Sequence, residues 1–397
     1  MTSPFLSDAH ALADKLIATR RDLHMHPELG FQEFRTARIV AERLVALGYE
    51  VVTGVGKTGV VGLVQGGQPG ERTVLLRFDM DALPIDEAND VPYRSQTPGV
   101  MHACGHDAHV AVGLGVAAVL MKHRAEWGGT VKLMFQPAEE GLGGANAMIN
   151  DGVLDRIGPP TDRAFGLHVS TWHELGKVAM CVGPMMAGGC MLTITVHGRG
   201  GHGAMPEGTI DAVMVAAQII VALQTVVARN VAADDAGVVS IGSIMAGNAP
   251  NVIAETATLR GTLRYFTPEV DALLRRRVPE VALGVAAALG ATAEVEFSPG
   301  LAATVNAEAP SQVAYAAAVA AVGTEHINMH WRTMGSEDFS AVLARVPGNF
   351  FFLGARNDAR GLNFPHHNPR FDIDEACLPT GVAILCDTAV RALRGEG

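Results

Sequence analysis

The chain has 397 residues, 48% of them hydrophobic and 18% charged, with a formal net charge of −11. That composition belongs to a soluble globular protein, and the length makes two domains the default. The acidic balance and the lack of any Lys/Arg-rich run exclude a nucleic-acid role carried by a basic patch. No segment approaches ~18 uninterrupted apolar residues, and residues 1–16 lack the basic-then-apolar order of a signal peptide. Neither a membrane span nor a secretory leader is therefore expected. Five cysteines without close pair spacing (Cys104, Cys181, Cys190, Cys377, Cys386) predict reduced thiols in a cytoplasmic protein.

In chain order, helical periodicity runs from about Leu16 to Leu47, broken near Pro27 and Gly30. Val60–Val64 and Thr73–Phe78 read as short buried strands. A helix is expected from Asp107 to about His123, with the Asp107 carboxylate as its cap. Thr130–Phe135 and Ala164–Val169 are further strands, His168 falling at the close of the second. Strand and helix alternate here as in a largely parallel sheet covered on both faces. From about Ala187 the pattern becomes strand Cys190–His197, helix Ile210–Arg229, strands Val238–Ala246 and Glu255–Phe266, helix Pro268–Leu289 and strand Thr292–Phe297. That is βαββαβ, the ferredoxin-like split unit. After Gly300 the first pattern resumes, with a helix at Val313–Val322 and a buried strand at Phe350–Gly354. The predicted fold is thus α/β with two domains: a mainly parallel-sheet domain made of 1–186 and 300–397, and an inserted ferredoxin-like domain at 187–299.

The chemistry-bearing residues gather at strand ends, the edge where open α/β sheets bind ligands. Cys104-Gly105-His106 places a thiol and an imidazole two residues apart in a loop. Glu139-Glu140 follows the Thr130–Phe135 strand, and His168 and the His366-His367-Asn368-Pro369 segment come later. Thiolate, imidazole and carboxylate donors suit a borderline-soft divalent metal. Adjacent glutamates diverge, so one can bind metal while the other serves a bound water as base. Asp79 and Asp81, just beyond Phe78, suit the outer carboxylates that orient a ligand histidine. His202 sits in a glycine-rich loop of the inserted domain, which also carries Asn251 and Arg264; an arginine there can hold a substrate carboxylate. His24 and His26 read as structural. His109 either faces the cleft beside His106 or packs its helix.

With these residues in place, the chain resembles the M20 metallopeptidase clan, closest to the amidohydrolase branch of hippurate hydrolases and indole-acetyl-amino-acid hydrolases. The resemblance is carried along nearly the whole chain by HMHPELGFQEFRTA, LLRFDMDALPIDE, MHACGHDAHVA, FQPAEEGLGGA, GLHV, GRGGHGAMPE, NVIAETATLRGTLR, MGSEDFS and HHNPRFDIDE. It implies a di-metal catalytic domain, with a ferredoxin-like lid that commonly mediates dimerisation. The implied metal ligands are Cys104, His106, Glu140, His168 and His367, the last chosen over His366 because it precedes x-Pro. Glu139 maps to the general base and His202 to the histidine that polarises the scissile carbonyl, often across a dimer interface. Asn251, Arg264 and Gly335 map to the substrate's carboxylate end. Two divalent ions are expected, Zn²⁺ first, with Mn²⁺, Co²⁺ or Ni²⁺ as candidates for the same donors. The expected reaction is amide hydrolysis of a small-molecule N-acyl amino acid. A carboxypeptidase or dipeptidase is the nearest alternative, and a non-catalytic metal- or metabolite-binding protein a remote one.

Overall fold

Four apolar segments form the parallel centre of an eight-stranded sheet in the computed structural model, which describes residues 3–396. They are β1 (Gln68–Asp79), β2 (Gly128–Gln136), β3 (Arg163–Glu174) and β4 (Gly348–Arg356), in spatial order β2-β1-β3-β4. Thr73 to Asp79 is buried at every position, the mark of a strand covered on both faces, where apolar residues need not alternate with polar ones. Gly59–Gln65 adds antiparallel to β2 and Glu50–Val55 adds antiparallel to that; two-residue strands extend the other edge beyond β4. Because β1, β2 and β3 run parallel, Asp79, Glu139 and His168 come to one end of the sheet. β3 continues to Glu174, with Phe352 opposite His168. His168 therefore lies within its strand, not at the close expected from the sequence, because pairing with β4 carries the strand on.

The helices of this unit include α1 (Ala13–Met25), α2 (Phe34–Leu47), α3 (His106–Lys122) and α4 (Leu378–Arg394). α2 ends on Gly48 at φ +88°, the left-handed stop that glycine adopts without Cβ strain. The expected cap of α3 is not there. Gly105 occupies the N-cap position, and Asp107 lies in the first turn facing the interior. Its carboxylate meets Arg20 Nε at 2.8 Å and His24 Nδ1 at 2.7 Å, while Arg20 also reaches Asp372 at 2.7 Å. Arg20 and His24 are fully buried, so the His24 segment is structural. It ties α1 to the start of α3 and to the C-terminal part of the chain.

Lys132 on β2 is also fully buried, its ammonium donating to the carbonyls of Val153 at 3.0 Å and Leu154 at 3.4 Å. Burial lowers its pKa from 10.5 to about 8, against the opposing pull of Asp155. Below pH 8 the folded state carries the full cost of that buried charge. As pH rises from 8 to 10.5 the folded protein sheds the proton while the unfolded chain keeps it, so this residue's contribution to stability increases. The stability of the native protein relative to Lys132→Met should therefore rise by about 3 kcal/mol across that window. Parallel urea titrations at stepped pH measure it, and a flat difference would show that Lys132 is hydrated.

The chain divides into two compact units, residues 1–185 with 305–332 and 338–397, and residues 186–304 with 333–337. The second unit reaches slightly beyond 187–299: Leu301 bridges to Gly189, and the Thr333 and Gly335 carbonyls both accept from Ala187 N. It holds strands Gly188–His197, Gly237–Ala246, Thr256–Tyr265 and Thr292–Phe297, all antiparallel, in order second-third-first-fourth. Helices Ala212–Asn230 and Pro268–Ala288 complete the split βαββαβ unit. Asp211 caps the first by accepting from Val213 N and Met214 N, and Thr267 caps the second. Val215, Ile219, Leu223 and Val226 pack with Leu192, Ile194 and Leu259 into this unit's core. Ala212–Asn230 and Glu375–Arg394 are each long and apolar enough to cross a membrane by length and composition alone. The second is largely buried in its own unit, while the first leaves Val213, Met214 and Val221 exposed.

Candidate metal centre

Cys104 and His106 are set by the glycine between them. Gly105 has φ +90°, and a Cβ there would lie 2.4 Å from Val169 Cγ2. Only glycine allows the loop to come this close to β3. Cys104 Sγ then stands 3.4 Å from His168 Nε2. Donor atoms of Cys104, His106 and His168 lie within 4.8 Å of one another, as do those of Cys104, Glu140 and His367, and those of His106, Glu139 and Glu140. These overlapping triads bring all five sequence-expected ligands into one continuous cluster.

The histidine hydrogen bonds prepare lone pairs for a cation. His106 Nδ1 donates to the Asp81 carbonyl at 2.8 Å, which leaves Nε2 to take either a second proton or a metal. That Nε2 is buried and makes no hydrogen bond, the nearest carboxylate being Asp79 Oδ2 at 3.5 Å. His168 Nδ1 donates to the Val169 carbonyl at 2.7 Å, which turns its Nε2 lone pair toward Cys104. Burial opposes a charge on His106, yet Asp79 and Asp81 outweigh it and raise the imidazole to about 10. Burial, then Glu140 and Glu139, push the Cys104 thiol well above its ordinary value. An anionic pocket that over-stabilises one proton and suppresses a thiolate is what a divalent cation would neutralise. The donor set fits such an ion.

Glu139 and Glu140 meet different partners, yet a donor atom of each lies within 4.8 Å of the other and of His106, so the divergence expected from their adjacency is incomplete. Ala138 before them sits at φ +53°, unusual for a residue with a Cβ, and its N–H is held at 2.8 Å by the buried Glu33 carboxylate. Glu140 N donates to Asp81 Oδ2 at 2.9 Å, and Glu140 Oε1 faces His367 Nε2 at 3.3 Å. Glu139 is buried, with Oε1 accepting from Asp338 N at 3.4 Å. Asp338 is itself held by Gln136 Nε2 at 2.7 Å and Ala145 N at 2.9 Å.

His367 adopts φ +64° and is fixed by its own N–H donating to Ala103 O at 2.8 Å. His366 stands with Nδ1 3.7 Å from Cys104 Sγ, its ring 5.1 Å from that of His168. Burial, with His367 and His109 nearby, pushes His366 down to about 3, so it is neutral. For His109 the sequence leaves cleft and packing roles open. It shares a triad with Asp79 and His106, but both its nitrogens are engaged: Nδ1 with Asp79, Nε2 accepting from Val169 N at 2.9 Å. It fixes β3 beside the cluster. The i, i+3 spacing from His106 signals a shared helix face, but only the fold reveals its partners.

In the second unit, His202 and Asn251 are neighbours. His202 pairs with Val252 across a two-residue ladder, and Gly203 N donates to Asn251 O at 2.8 Å. His202 is exposed. Gly335 N donates to Thr333 Oγ1 at 3.2 Å. Arg264 is not with His202 and Asn251. It lies near the far end of the Thr256–Tyr265 strand, opposite Gly189, whereas Thr256 at the other end pairs with His197 beside the His202 loop. Eight residues of strand separate these ends by roughly 26 Å.

Comparison with known proteins gives one family match, to the model described as peptidase family M20/M25/M40, over residues 75–391. Thermostable carboxypeptidase 1 of Saccharolobus solfataricus is 39% identical, with 97% of each chain covered. IAA-amino acid hydrolase ILR1-like 4 of Arabidopsis thaliana is 38% identical over 96% of this chain and 86% of its own. The crystal structure of the Bacillus subtilis YXEP protein, described as a dinuclear metal binding peptidase, aligns with a TM-score of 0.83 at 34% identity, covering 97% of this chain and 99% of that one.

Proposed function

The chain belongs to peptidase family M20/M25/M40, and we propose that this hydrolase cleaves the amide bond of N-acyl amino acids, releasing a carboxylic acid and a free amino acid. The observation that carries the reading is the donor cluster of Cys104, His106, Glu140, His168 and His367 with Glu139 beside it. Two divalent ions held there, Zn²⁺ foremost, would supply Lewis acidity for the carbonyl and a water of lowered pKa. Glu139 takes the proton of the attacking water and hands it to the leaving amine. Asp338 N–H holds one Glu139 oxygen, which orients the other. Asp81 fixes His106 and, through Glu140 N, the metal-binding glutamate. His202 donates to the developing oxyanion, and Arg264 receives the substrate carboxylate.

One small substrate does not reach both His202 and Arg264 of the same subunit if they stand roughly 26 Å apart along the strand. The working unit in this proposal is therefore a homodimer in which a second copy supplies His202. The exposed Val213, Met214 and Val221 of the Ala212–Asn230 helix suit burial against such a copy. The reduced thiols suit the cytoplasm as its compartment.

Cleavage of N-benzoyl, N-acetyl and N-indoleacetyl amino acids and of dipeptides, after chelation and after return of Zn²⁺, Mn²⁺, Co²⁺ or Ni²⁺, tests the reading. Metal-restored release of amino acid from the acyl conjugates supports it. A ranking led by dipeptides would favour the peptidase alternative, to which the 39% identity with a carboxypeptidase lends weight. Cys104→Ala should separately lower the bound metal measured by atomic emission, and unchanged stoichiometry would remove Cys104 from the ligand set.

A further inference from the structure

Away from the metal centre, α1, α2 and α3 line an open cavity of about 470 Å³. Small residues create it: Ala18 and Ala46 from the outer helices, and Ala111, Gly115 and Ala118 along one face of α3. Its walls are aliphatic, with Leu12, Leu16, Leu47 and Leu114 among them. Gly115 is held to glycine by packing, since a Cβ there would lie 2.7 Å from Leu16 Cδ2. The polar lining is Lys15, Thr19 and Arg43. Thr19 is buried and satisfied, its hydroxyl donating to Lys15 O at 2.7 Å and accepting from Arg43 Nη1 at 2.6 Å. Lys15 and Arg43 are exposed, and neither side chain has a carboxylate partner among the described residues. The acid next to Arg43 in sequence, Glu42, is engaged by Arg38 at 3.3 Å.

We infer that this cavity is a binding site for a monocarboxylate with an aliphatic tail. Its volume falls in the range of small-molecule sites, which are mostly apolar with a few placed polar groups. The two exposed cations of its lining have no carboxylate partner among the described residues, and a carboxylate matches both charge and hydrogen-bonding geometry. The aliphatic walls favour a chain over a polar body, each buried methylene improving affinity roughly fourfold. The site is distinct from the metal centre and stands whether or not the proposed hydrolysis is correct. It nonetheless borders α3, whose first turn carries His106 and His109, so an occupant rests on the helix that presents a candidate ligand.

Calorimetric titration of the intact chain with hexanoate, octanoate and decanoate tests this. The expected result is one saturable site that tightens roughly fourfold per methylene. Ala118→Trp, which fills the cavity, should abolish it, and Ala46→Phe, at a more exposed wall, should weaken it even if the first variant fails to fold. Lys15→Glu combined with Arg43→Glu should weaken decanoate at least tenfold while leaving decanol unchanged. Cooperative melting confirms that each variant is folded. Absence of saturable binding, equal affinity for decanol and decanoate, or undiminished binding by folded Ala118→Trp or Ala46→Phe would each overturn the assignment. The last result would place the carboxylate elsewhere, the metal centre included.

Discussion

Glu139→Gln is expected to keep its metal and lose turnover by a factor of about 10² to 10⁴, the usual contribution of a positioned acid–base group. The substitution is nearly isosteric, and the amide oxygen can still accept from Asp338 N, so the 3.4 Å contact that orients the side chain survives. What disappears is the capacity to hold a proton between water and leaving amine. Glu139 also lies in a donor triad with His106 and Glu140, which gives the experiment a second reading. Were Glu139 a ligand, metal content would fall with activity. Glu140→Gln provides the contrast, since Glu140 meets His367 and shares a triad with Cys104; it should lose metal as well as rate. A Glu139→Gln enzyme of near-normal rate would remove the general-base role altogether.

Much of this arrangement is readable in the sequence because it rests on local signals. Short apolar runs ending in acidic or histidine-bearing loops predict parallel strands with their chemistry at one edge, and β1, β2 and β3 place Asp79, Glu139 and His168 there. The change of rhythm after Ala187 is enough to predict βαββαβ. What fails depends on partners distant in sequence. Asp107 looks like a cap because Asp before an apolar helix commonly is one, but Arg20, 87 residues away, recruits its carboxylate into a buried ion cluster. His168 looks like a strand terminus because nothing local announces that β4 prolongs its pairing. Asn251 and Arg264 share a domain in the sequence, but only the register of the Thr256–Tyr265 strand reveals that they lie toward its opposite ends within one subunit. His109 can be placed on the face of His106 by spacing, whereas its bonds to Asp79 and Val169 exist only once β1 and β3 are adjacent.

Arg77 shows how such distant partners bind the site together, and its replacement should have the largest effect on stability. It is buried on β1, with Nη1 2.6 Å from Asp79 Oδ2, Nε 2.9 Å from Gln136 Oε1 and Nη2 3.3 Å from Asp338 Oδ1. Burial alone would raise the Asp79 carboxyl; Arg77, followed by His106 and His109, holds it well below the usual range. One guanidinium thus braces Asp79, which holds His109 and faces His106, and Asp338, whose N–H holds Glu139. Arg77→Met strips both buried carboxylates of that cation and should cost about 3–5 kcal/mol in denaturant unfolding, as breaking buried ion pairs does. A loss below about 1 kcal/mol would mean that the cluster is satisfied without it. Arg77→Lys separates stability from catalysis. It retains the charge, but a single ammonium does not reproduce the planar fork that spans three acceptors. The lysine variant should therefore remain folded while kcat falls at least tenfold and KM changes little, because Arg77 positions the base and touches no substrate. A lysine variant with native kcat would confine Arg77 to the scaffold and leave the positioning of Glu139 to the rest of its surroundings, Asp338 with Gln136 and Ala145 among them.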